Sequence, residues 1–418
     1  MVIGAGAAGL AAAQHLVKAK CTVTILEARD RLGGRIWSHD PWARDDFIDL
    51  GAEFVHDSVL AHRFSESGLI EIDERQRVQW DDWLCRYRFS NQEVRREGAS
   101  RCVRLVLDEK WYGKLDRSRG SVANAIQRWP SLCRRLATAE AEGLYAADTK
   151  DLNAQALYEQ WSWWQGDEKQ WWPRGGYQCL IDKLRQRLNR LVRRADPVTK
   201  IECVVDRSCV RVTTRNKKQF EATRAIVAVP LGILKSRDIA FVPRLSHAKR
   251  VAIQRIGMGD VVKIAVRAQP FGRECRFISS DQEIPVWWPL PNRRNKEGVI
   301  IGWAGGPAAK RLRRAGSQQI KRLAICSLKA LFPGWEGTST RNVHVVDWTR
   351  EEFAKGAYSY DRFADGRSLR GQLAEAENNL LFFAGEATEP LYYGTVHGAL
   401  RSGERAANSV LESLRVCA

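Results

Sequence analysis

Three closely spaced glycines near the start of the chain constrain its fold more than any other feature. Gly4, Gly6 and Gly9 follow the apolar residues Val2 and Ile3, and an alanine-rich stretch comes directly after them. In this pattern the first glycine permits a tight turn, the second lets the backbone approach a pyrophosphate, and the third lets a helix pack closely on a sheet. Unpaired amides at the helix N-terminus attract phosphate oxygens. The chain is therefore predicted to begin with a strand–turn–helix unit that binds a dinucleotide.

A carboxylate and a second pair of glycines extend this motif. Glu27 ends the next apolar run, where a carboxylate accepts hydrogen bonds from an adenosine ribose. Arg29, Gly33, Gly34 and Arg35 follow it. The glycine pair allows a second close backbone approach, and a forked guanidinium group neutralises phosphate. This extension resembles the FAD-binding sequence of flavoprotein oxidases and is not typical of nicotinamide dehydrogenases, so FAD is the expected cofactor.

Later segments continue the same architecture. Residues 226–232 and 380–386 are short apolar runs that end at glycine, which is typical of buried parallel strands that reach a cofactor. Residues 198–214 alternate apolar and polar side chains and predict a β-meander. Residues 398–414 predict a long helix.

The segments between them have different patterns. Residues 76 to about 168 have helical spacing, and the apolar runs of residues 240–364 indicate a mixed sheet. A chain of 418 residues can bury two cores. The predicted fold class is α/β, with a discontinuous Rossmann-like FAD-binding domain and a second α+β substrate-binding domain. The FAD-binding domain is assigned to residues 1–75, 170–239 and 365–418, and the substrate-binding domain to residues 76–169 and 240–364.

A net charge of +18 raises the question of an anionic partner. The basic residues form only short clusters, and no helix-turn-helix, zinc or RNA-binding motif accompanies them, so no specific nucleic-acid partner is expected. No apolar run is long enough to span a bilayer, and no metal-ligand spacing is present. We therefore expect no membrane anchor and no metal, and the sequence leaves the oligomeric state open.

The ten cysteines are scattered without a Cys-x-x-Cys pair. This usage favours reduced structural thiols, so a cytoplasmic protein is predicted. No signal peptide precedes the glycine turn. The first apolar run is shorter than a usual parallel strand, which leaves open a trimmed start and a lost leader.

Eight motifs, in order along the chain, identify it as a member of the flavin-containing amine oxidase family. The sequences GAYSY and TVHGALRSG are most similar to those of one branch of the family, which contains polyamine and spermine oxidases and flavin-dependent lysine demethylases. The motifs are VIGAGAAGLAAA at 2–13, EARDRLGGRI at 27–36, DLGAEFVHD at 49–57, RGGYQCLIDKL at 174–184, VAVPLGILK at 227–235, GDVVKI at 259–264, DWTREEFAKGAYSY at 347–360 and FAGEATEPLYYGTVHGALRSGERAA at 383–407.

The last motif indicates a flavin contact independently of the family resemblance, because Gly385 ends a strand and Glu386 can accept a hydrogen bond from a ribityl or ribose hydroxyl. The resemblance implies this role for Glu386. It also implies positions near the isoalloxazine for Thr395, Val396 and His397. The remaining cofactor contacts that it implies are Gly51, Ala52 and Val198.

Lys263 is the principal catalytic candidate. It lies in the apolar run Val-Val-Lys-Ile-Ala-Val, so one face of a strand is expected to bury it. Burial disfavours an ammonium group and lowers the pKa of a lysine, which allows it to relay a proton. From periodicity alone, an outward lysine on an edge strand is preferred. The resemblance favours function, because a lysine of this motif contacts flavin N5 through a water molecule in the family.

Tyr358 matches the aromatic wall that holds the substrate amine in the family, and an aromatic face attracts a cation. Thr395 stands where monoamine oxidases have a second tyrosine, so a two-wall cage is doubtful, with Tyr393 as a partial substitute. Ala357 stands where monoamine oxidases carry the cysteine that binds flavin covalently. Non-covalent FAD is therefore predicted.

Two further side chains are candidates for the substrate side of the site. His56 matches an active-site histidine of mammalian-type polyamine oxidases, with a core or loop histidine as the equal alternative. Glu53 is a candidate carboxylate beside a cationic substrate. The neighbouring tryptophans are expected to be structural or, at 287 and 288, to line a substrate channel; they are Trp161, Trp163, Trp164, Trp171, Trp172, Trp287 and Trp288.

The resemblance implies oxidation of the C–N bond of a small amine, polyamine-type being favoured, by hydride transfer to flavin N5 and reduction of oxygen to hydrogen peroxide. The positive charge argues against a polycation, although salt screens distant charges. An L-amino-acid oxidase and a histone-demethylase-like flavoprotein are the enzymatic alternatives. A non-catalytic FAD-binding scaffold is the alternative from another class.

Overall fold

The computed structural model describes twelve stretches of the chain. Within these stretches the chain forms several sheets and eleven helices. The described residues are 1–43, 47–56, 60–61, 69–72, 86–89, 92–95, 111–164, 170–173, 175–268, 278–290, 298–332 and 334–415. The helices are α1 Ala7–Lys18, α2 Val122–Ala125, α3 Ser131–Tyr145, α4 Ala154–Trp164, α5 Gln178–Arg185, α6 Leu231–Ser236, α7 His247–Arg255, α8 Gly306–Ala315, α9 Ser317–Leu331, α10 Gly366–Ala374 and α11 Val396–Arg415.

A five-stranded parallel sheet brings together the start, middle and end of the chain, as the sequence predicted. Its strands, in spatial order, are β22 Leu381–Phe383, β13 Ala225–Val227, β1 Val2–Ile3, β2 Ile25–Leu26 and β9 Val192–Arg193. All neighbouring pairs are parallel. Helices α1 and α11 cover one face so closely that a Cβ at Gly403 would lie 2.1 Å from the Ala8 carbonyl oxygen.

The predicted β-meander is confirmed. Its strands are β10 Val198–Val204, β11 Cys209–Thr214 and β12 Gln219–Ala222, and neighbours are antiparallel. A fourth strand, β14 Ala240–Val242, runs parallel to β10. Alternate residues of β11 are buried, as expected for a sheet with one covered face.

A seven-stranded mixed sheet forms the other large layer. Its order is β20 Val343–Asp347, β16 Val261–Ala268, β19 Gly298–Gly305, β18 Val286–Pro289, β17 Ile278–Ser280, β6 Arg86–Phe89 and β7 Gln92–Arg95. The antiparallel pair β6 and β7 is an exception to the prediction that residues 76 to about 168 are mostly helical, while α2, α3 and α4 confirm it for the second half of that segment. Strand β16 lies between β19 and β20, which explains why seven of its eight residues are buried.

Three small two-stranded sheets complete the described strands and frame the region where the layers meet. They pair β3 Ser38–His39 with β4 Ile48–Asp49, β5 Leu69–Ile72 with β8 Gln170–Pro173, and β15 Gly257–Met258 with β21 Ser359–Tyr360.

The hydrophobic packing bears on the predicted division into domains. Ile239, Leu245, Ala252, Ile253 and Ile256 belong to the same buried cluster as Val227 and Phe383 of the parallel sheet. Residues 239–256 therefore pack with the parallel sheet, beyond the boundary predicted at 239/240. Within the described stretches, no helix has the combination of length and apolar character needed to cross a membrane.

Candidate active site

The glycine turn after β1 provides a close-fitting cradle of backbone. Gly4 has a φ of +102°, and a Cβ on Gly9 would lie 1.9 Å from the Gly4 carbonyl oxygen, so both positions require glycine. Gly6 is the N-cap residue of α1, and no side chain caps the helix there. The first-turn amides are thus available to an anion, and this arrangement fits the pyrophosphate of a dinucleotide.

Glu27 and Arg29 lie beside this turn. Glu27 is 3% exposed and accepts hydrogen bonds from Ala5 N at 2.7 Å and Arg29 N at 2.9 Å. The Arg29 guanidinium pairs with Glu351 and lies over the Phe353 ring. Arg29, predicted as a cofactor contact, thus binds Glu27 through its backbone N–H, and its side chain lies between Glu351 and Glu27, with Nη1 3.8 Å from Glu27 Oε1.

The second glycine pair closes the cradle from the other side. Gly33 N donates to Ala5 O at 2.9 Å, and a Cβ at Gly6 would lie 3.8 Å from Gly33 O. Gly34 has a φ of +61°. A Cβ at Gly51 would lie 1.8 Å from the Arg35 carbonyl oxygen, which fixes the segment 51–53 against the glycine pair. The predicted cofactor residues of both motifs thus meet in one place.

Glu386 lies at the centre of a buried polar network. Its Oε1 accepts a hydrogen bond from Arg35 Nη1 at 2.8 Å, and its Oε2 accepts from Ser359 Oγ at 2.6 Å and Gly394 N at 2.9 Å. Burial by itself raises the pKa of this carboxyl, but Arg35, Ser359 and Arg370 outweigh burial and hold the pKa below its usual value. Glu386 is therefore an ionised acceptor beside the cradle, as its predicted role requires.

Lys263 is buried on β16 and forms an ion pair. The side chain is 1% exposed, and Nζ donates to Glu53 Oε2 at 2.6 Å and to Gly51 O at 3.2 Å. The prediction of burial is confirmed, and the structure adds a carboxylate against the ammonium group. Glu53, expected to face a substrate, instead binds Lys263.

Two tryptophans hold the other oxygen of the Glu53 carboxylate. Trp172 Nε1 donates to Oε1 at 3.1 Å, and Trp288 Nε1 donates to the same oxygen at 2.8 Å. Both indoles are buried. The sequence offered them only as core or channel residues, and the carboxylate that needs two indole donors could not be foreseen from their spacing. Of the other tryptophans of the predicted set whose side chains the structure describes, Trp171 and Trp287 are buried, Trp161 is half-buried and Trp163 is 53% exposed.

Tyr358 and Tyr393 occupy different environments. The Tyr358 hydroxyl donates to Leu144 O at 2.5 Å, and burial with the nearby Glu386 raises its pKa. The Tyr393 ring is 4% exposed, and the Arg370 guanidinium lies 3.7 Å from its centroid. Arg370 therefore occupies one face of Tyr393, and that face is not available to an amine.

The residues after the last strand position helix α11. Gly385 has a φ of +130°, and its N–H donates to Ser402 Oγ at 2.9 Å. Thr395 caps the helix, because its Oγ1 accepts from Gly398 N at 3.0 Å and donates to Tyr392 O at 2.6 Å. Val396 packs against the buried cluster that includes Leu10 of α1 and Leu400 of α11. The sequence analysis missed this capping role of Thr395, although Thr three residues before Gly398 was a visible signal.

His56 and Val198 have different surroundings. Burial, with a smaller effect of His397, lowers the pKa of His56 to about 4, so this side chain is neutral at pH 7. His397 packs edge-on against Tyr392. Val198 begins β10, is half-buried and packs against the cluster beneath the parallel sheet. Ala52 N donates to Arg35 O at 3.2 Å, beside Gly51.

The cysteines only partly match the expectation. Cys21, Cys179, Cys203, Cys209 and Cys326 are free thiols. Cys133 is disulfide-bonded, so the prediction of reduced thiols is wrong there. Since disulfides form in oxidising environments, the cysteines no longer argue for a reducing compartment.

Comparison with known proteins agrees with this geometry. The family described as flavin containing amine oxidoreductase matches residues 7–82 and 106–411. The chain is 30% identical to polyamine oxidase 3 of Oryza sativa subsp. japonica, over 99% of this chain and 90% of that protein. It is 26% identical to lysine-specific histone demethylase 2 of Homo sapiens, over 98% of this chain and 53% of that protein.

Two solved structures share the fold. Cyclohexylamine oxidase from Brevibacterium oxydans IH-35A has a TM-score of 0.84 at 22% identity, covering 99% of this chain and 98% of that chain. Putrescine oxidase bound to putrescine has a TM-score of 0.82 at 20% identity, covering 98% of each chain. The predicted combination of a Rossmann-like FAD-binding part and a substrate-binding part is therefore confirmed as the fold.

Proposed function

The chain belongs to the flavin containing amine oxidoreductase family, and from that premise we propose that it oxidises the C–N bond of a small amine and passes the electrons to oxygen. FAD is its cofactor, and when bound it supplies the two-electron acceptor that amino-acid side chains lack. The observation that carries the proposal is the position of Lys263, buried one hydrogen bond from Gly51 and beside the cradle closed by Arg35.

The chain's own residues would hold the cofactor and exclude water. The α1 N-terminus and the glycine pair would receive the pyrophosphate, Glu27 the ribose, and Glu386 a hydroxyl of the ribityl chain. No side chain able to bond covalently to flavin stands at 357, where the chain has a buried alanine. FAD would therefore be held by non-covalent contacts alone.

Lys263 would manage protons and Tyr358 would position the amine. One N–H of the Lys263 ammonium has no acceptor among the described residues, which leaves it free to bind ordered water or a bound molecule. The half-buried Tyr358 ring would present a face to the substrate, with its hydroxyl anchored on Leu144. His56, neutral at pH 7, would accept or donate one hydrogen bond without adding charge to the site.

A polyamine is the favoured substrate class. Its support is the similarity to polyamine oxidase 3 across nearly the whole of both chains. The net charge of +18 slows the approach of a polycation, so a monoamine is the second candidate. An L-amino acid and a peptidyl lysine are further candidates, and the demethylase relative makes the latter worth testing.

Anaerobic mixing of the holoenzyme with a panel of amines tests the proposal. The amines are added one at a time: spermine, spermidine, putrescine, a monoamine, an L-amino acid and a methylated lysine peptide. The flavin absorbance at about 450 nm is followed after each addition. Bleaching by at least one amine, and hydrogen peroxide when oxygen is admitted, is the expected result. A flavin that no amine bleaches would instead support a non-catalytic scaffold.

We also propose a division of the chain into two domains. The parallel sheet with its flanking meander would form the FAD-binding domain, and the seven-stranded sheet with α2–α4 would form the substrate-binding domain. Limited proteolysis followed by mass spectrometry of the fragments that retain flavin would test this division.

A further inference from the structure

The buried Glu53 carboxylate suggests a role that a substrate contact does not explain. It is 5% exposed and accepts hydrogen bonds from three donors: Lys263 on Oε2, and Trp172 and Trp288 on Oε1. A buried carboxylate is costly unless it is paired and hydrogen-bonded. Here the Lys263 ammonium group already neutralises the carboxylate, so Glu53 has no net charge left to attract a substrate cation.

The geometry points to Glu53 as a positioning residue for Lys263. Because the two indoles hold Oε1 on one side, Oε2 is fixed toward the ammonium group on the other. Gly51 O takes a second ammonium N–H. With two of its three N–H donors engaged, the lysine has one direction left for the third.

The surrounding contacts place the Glu53–Lys263 pair between the cofactor cradle and the seven-stranded sheet. Residues 51–53 are fixed against the Arg35 carbonyl by the contact at Gly51 and the Ala52 N–H bond. Lys263 itself lies on β16, which is hydrogen-bonded to β20 on one side and to β19 on the other. The ion pair thus joins the cofactor cradle to the sheet that carries the lysine, and it fixes the distance between them.

This inference rests on the proposed function for its kinetic consequence but not for its structural one. The variant Glu53→Gln keeps the shape of the side chain and turns one oxygen into an NH2 donor. In either orientation that donor opposes Lys263 or the two indoles. Trp288→Phe is a milder second variant, since it keeps an aromatic ring and removes one N–H donor.

The experiment is a double-mutant cycle on the holoenzyme with E53Q, K263M and E53Q/K263M, and with W288F as a milder test. The control is Glu202→Gln, which breaks the half-exposed pair with Lys200. Thermal unfolding midpoints and anaerobic flavin-reduction rates are measured for each. E53Q is expected to slow reduction by about 100-fold with little change in the amine concentration at half-maximal rate. In the K263M background, the same change is expected to slow reduction no further and to lower the midpoint less than it does in the wild type.

The two readouts separate the possible failures. If no amine reduces the wild-type flavin, the proposed function fails, and the unfolding midpoints alone decide whether the pair is coupled. Additive midpoints overturn the inference whatever the kinetics show. An E53Q enzyme that is reduced at the wild-type rate, or that slows K263M as much as it slows the wild type, also overturns it.

Discussion

Arg35 and Glu386 lie 351 positions apart in the sequence, and a guanidinium N–H of Arg35 donates to the Glu386 carboxylate at 2.8 Å. The contact joins the segment after β2 to the turn after β22. A second bond from the same nitrogen reaches Ala357 O at 2.5 Å. One arginine therefore ties together three of the motifs that the sequence analysis treated separately.

Replacing Arg35 with Gln should weaken FAD binding by about 10- to 100-fold, because a charge-assisted hydrogen-bonding group is lost beside the cradle. Titration of the apoprotein with FAD, followed by quenching of flavin fluorescence, measures the change. Arg211→Gln, which breaks a surface pair with Glu221, is the matched control. Equal FAD affinities for the two variants would show that Arg35 does not contribute to the cofactor site.

The same substitution should also alter acid stability. The pKa of Glu386 is below the unfolded value, so this carboxylate contributes stability above the unfolded pKa and loses it as pH falls through the folded pKa. Without Arg35 the contribution shrinks. Urea unfolding is measured between about pH 7 and about pH 3, the range over which carboxyl groups titrate. The free energy of unfolding should fall less steeply with decreasing pH for Arg35→Gln than for the wild type.

Lys263→Met should slow flavin reduction by about 10²- to 10⁴-fold, the usual loss when a proton-transfer group is removed. FAD should stay bound, because the glycine turn and Glu386 do not contact this side chain. Stopped-flow bleaching measures the rate, and the absorbance of the desalted protein measures retention. Lys218→Met, at an exposed position, controls for the charge change. Wild-type reduction by Lys263→Met would contradict the assigned role.

Acid precipitation should release all of the flavin into the supernatant. Ala357 offers no thiol for a covalent bond at the position where a cysteine would be needed. The measurement is the flavin absorbance of the supernatant compared with that of the pellet. Flavin that stays with the washed pellet would show a covalent bond elsewhere in the chain.

Asp49→Asn should lose less stability than the wild type when the pH rises from acid to neutral. Burial raises the pKa of Asp49 from 3.8 to about 6, partly offset by the Ser38 and Tyr177 hydrogen bonds. The native state therefore binds the proton more tightly than the unfolded state, and the contribution of Asp49 to stability falls as pH rises from about 4 to about 6. The variant lacks this loss, which is on the order of 2–3 kcal/mol. Urea unfolding at pH 4 and pH 7 (roughly the limits of that titration), with exposed Asp206→Asn as control, checks the sign.

Lys249→Met should destabilise the protein by about 2–4 kcal/mol, because it removes one buried donor from three acceptors. Nζ donates to the carbonyl oxygens of Gln372, Leu373 and Glu375 at 3.1, 2.9 and 2.7 Å, at the C-terminal end of α10. Urea titration followed by tryptophan fluorescence measures the loss. Lys218→Met is again the control, and equal midpoints for the two variants would show that the cap contributes nothing.

Motifs with local causes were predictable from the sequence. Gly4, Gly6 and Gly9 predict a tight turn from their spacing, and at Gly4 and Gly9 the backbone has room for no other residue. The long C-terminal helix, the β-meander and the parallel strands follow from periodicity in the same way. The hairpin at 86–95 was missed because its pairing with β17 is decided nearly two hundred residues later.

The sequence alone determined the dinucleotide turn and the family, because each motif that carries them is a run of residues close together in the chain. Tertiary structure alone decided that Glu53 faces Lys263, that Trp172 and Trp288 hold that carboxylate, and that Arg370 covers Tyr393. These contacts join residues from different sheets. A hydrogen bond or an ion pair acts over about 3 Å, so no local pattern records which distant group will supply it.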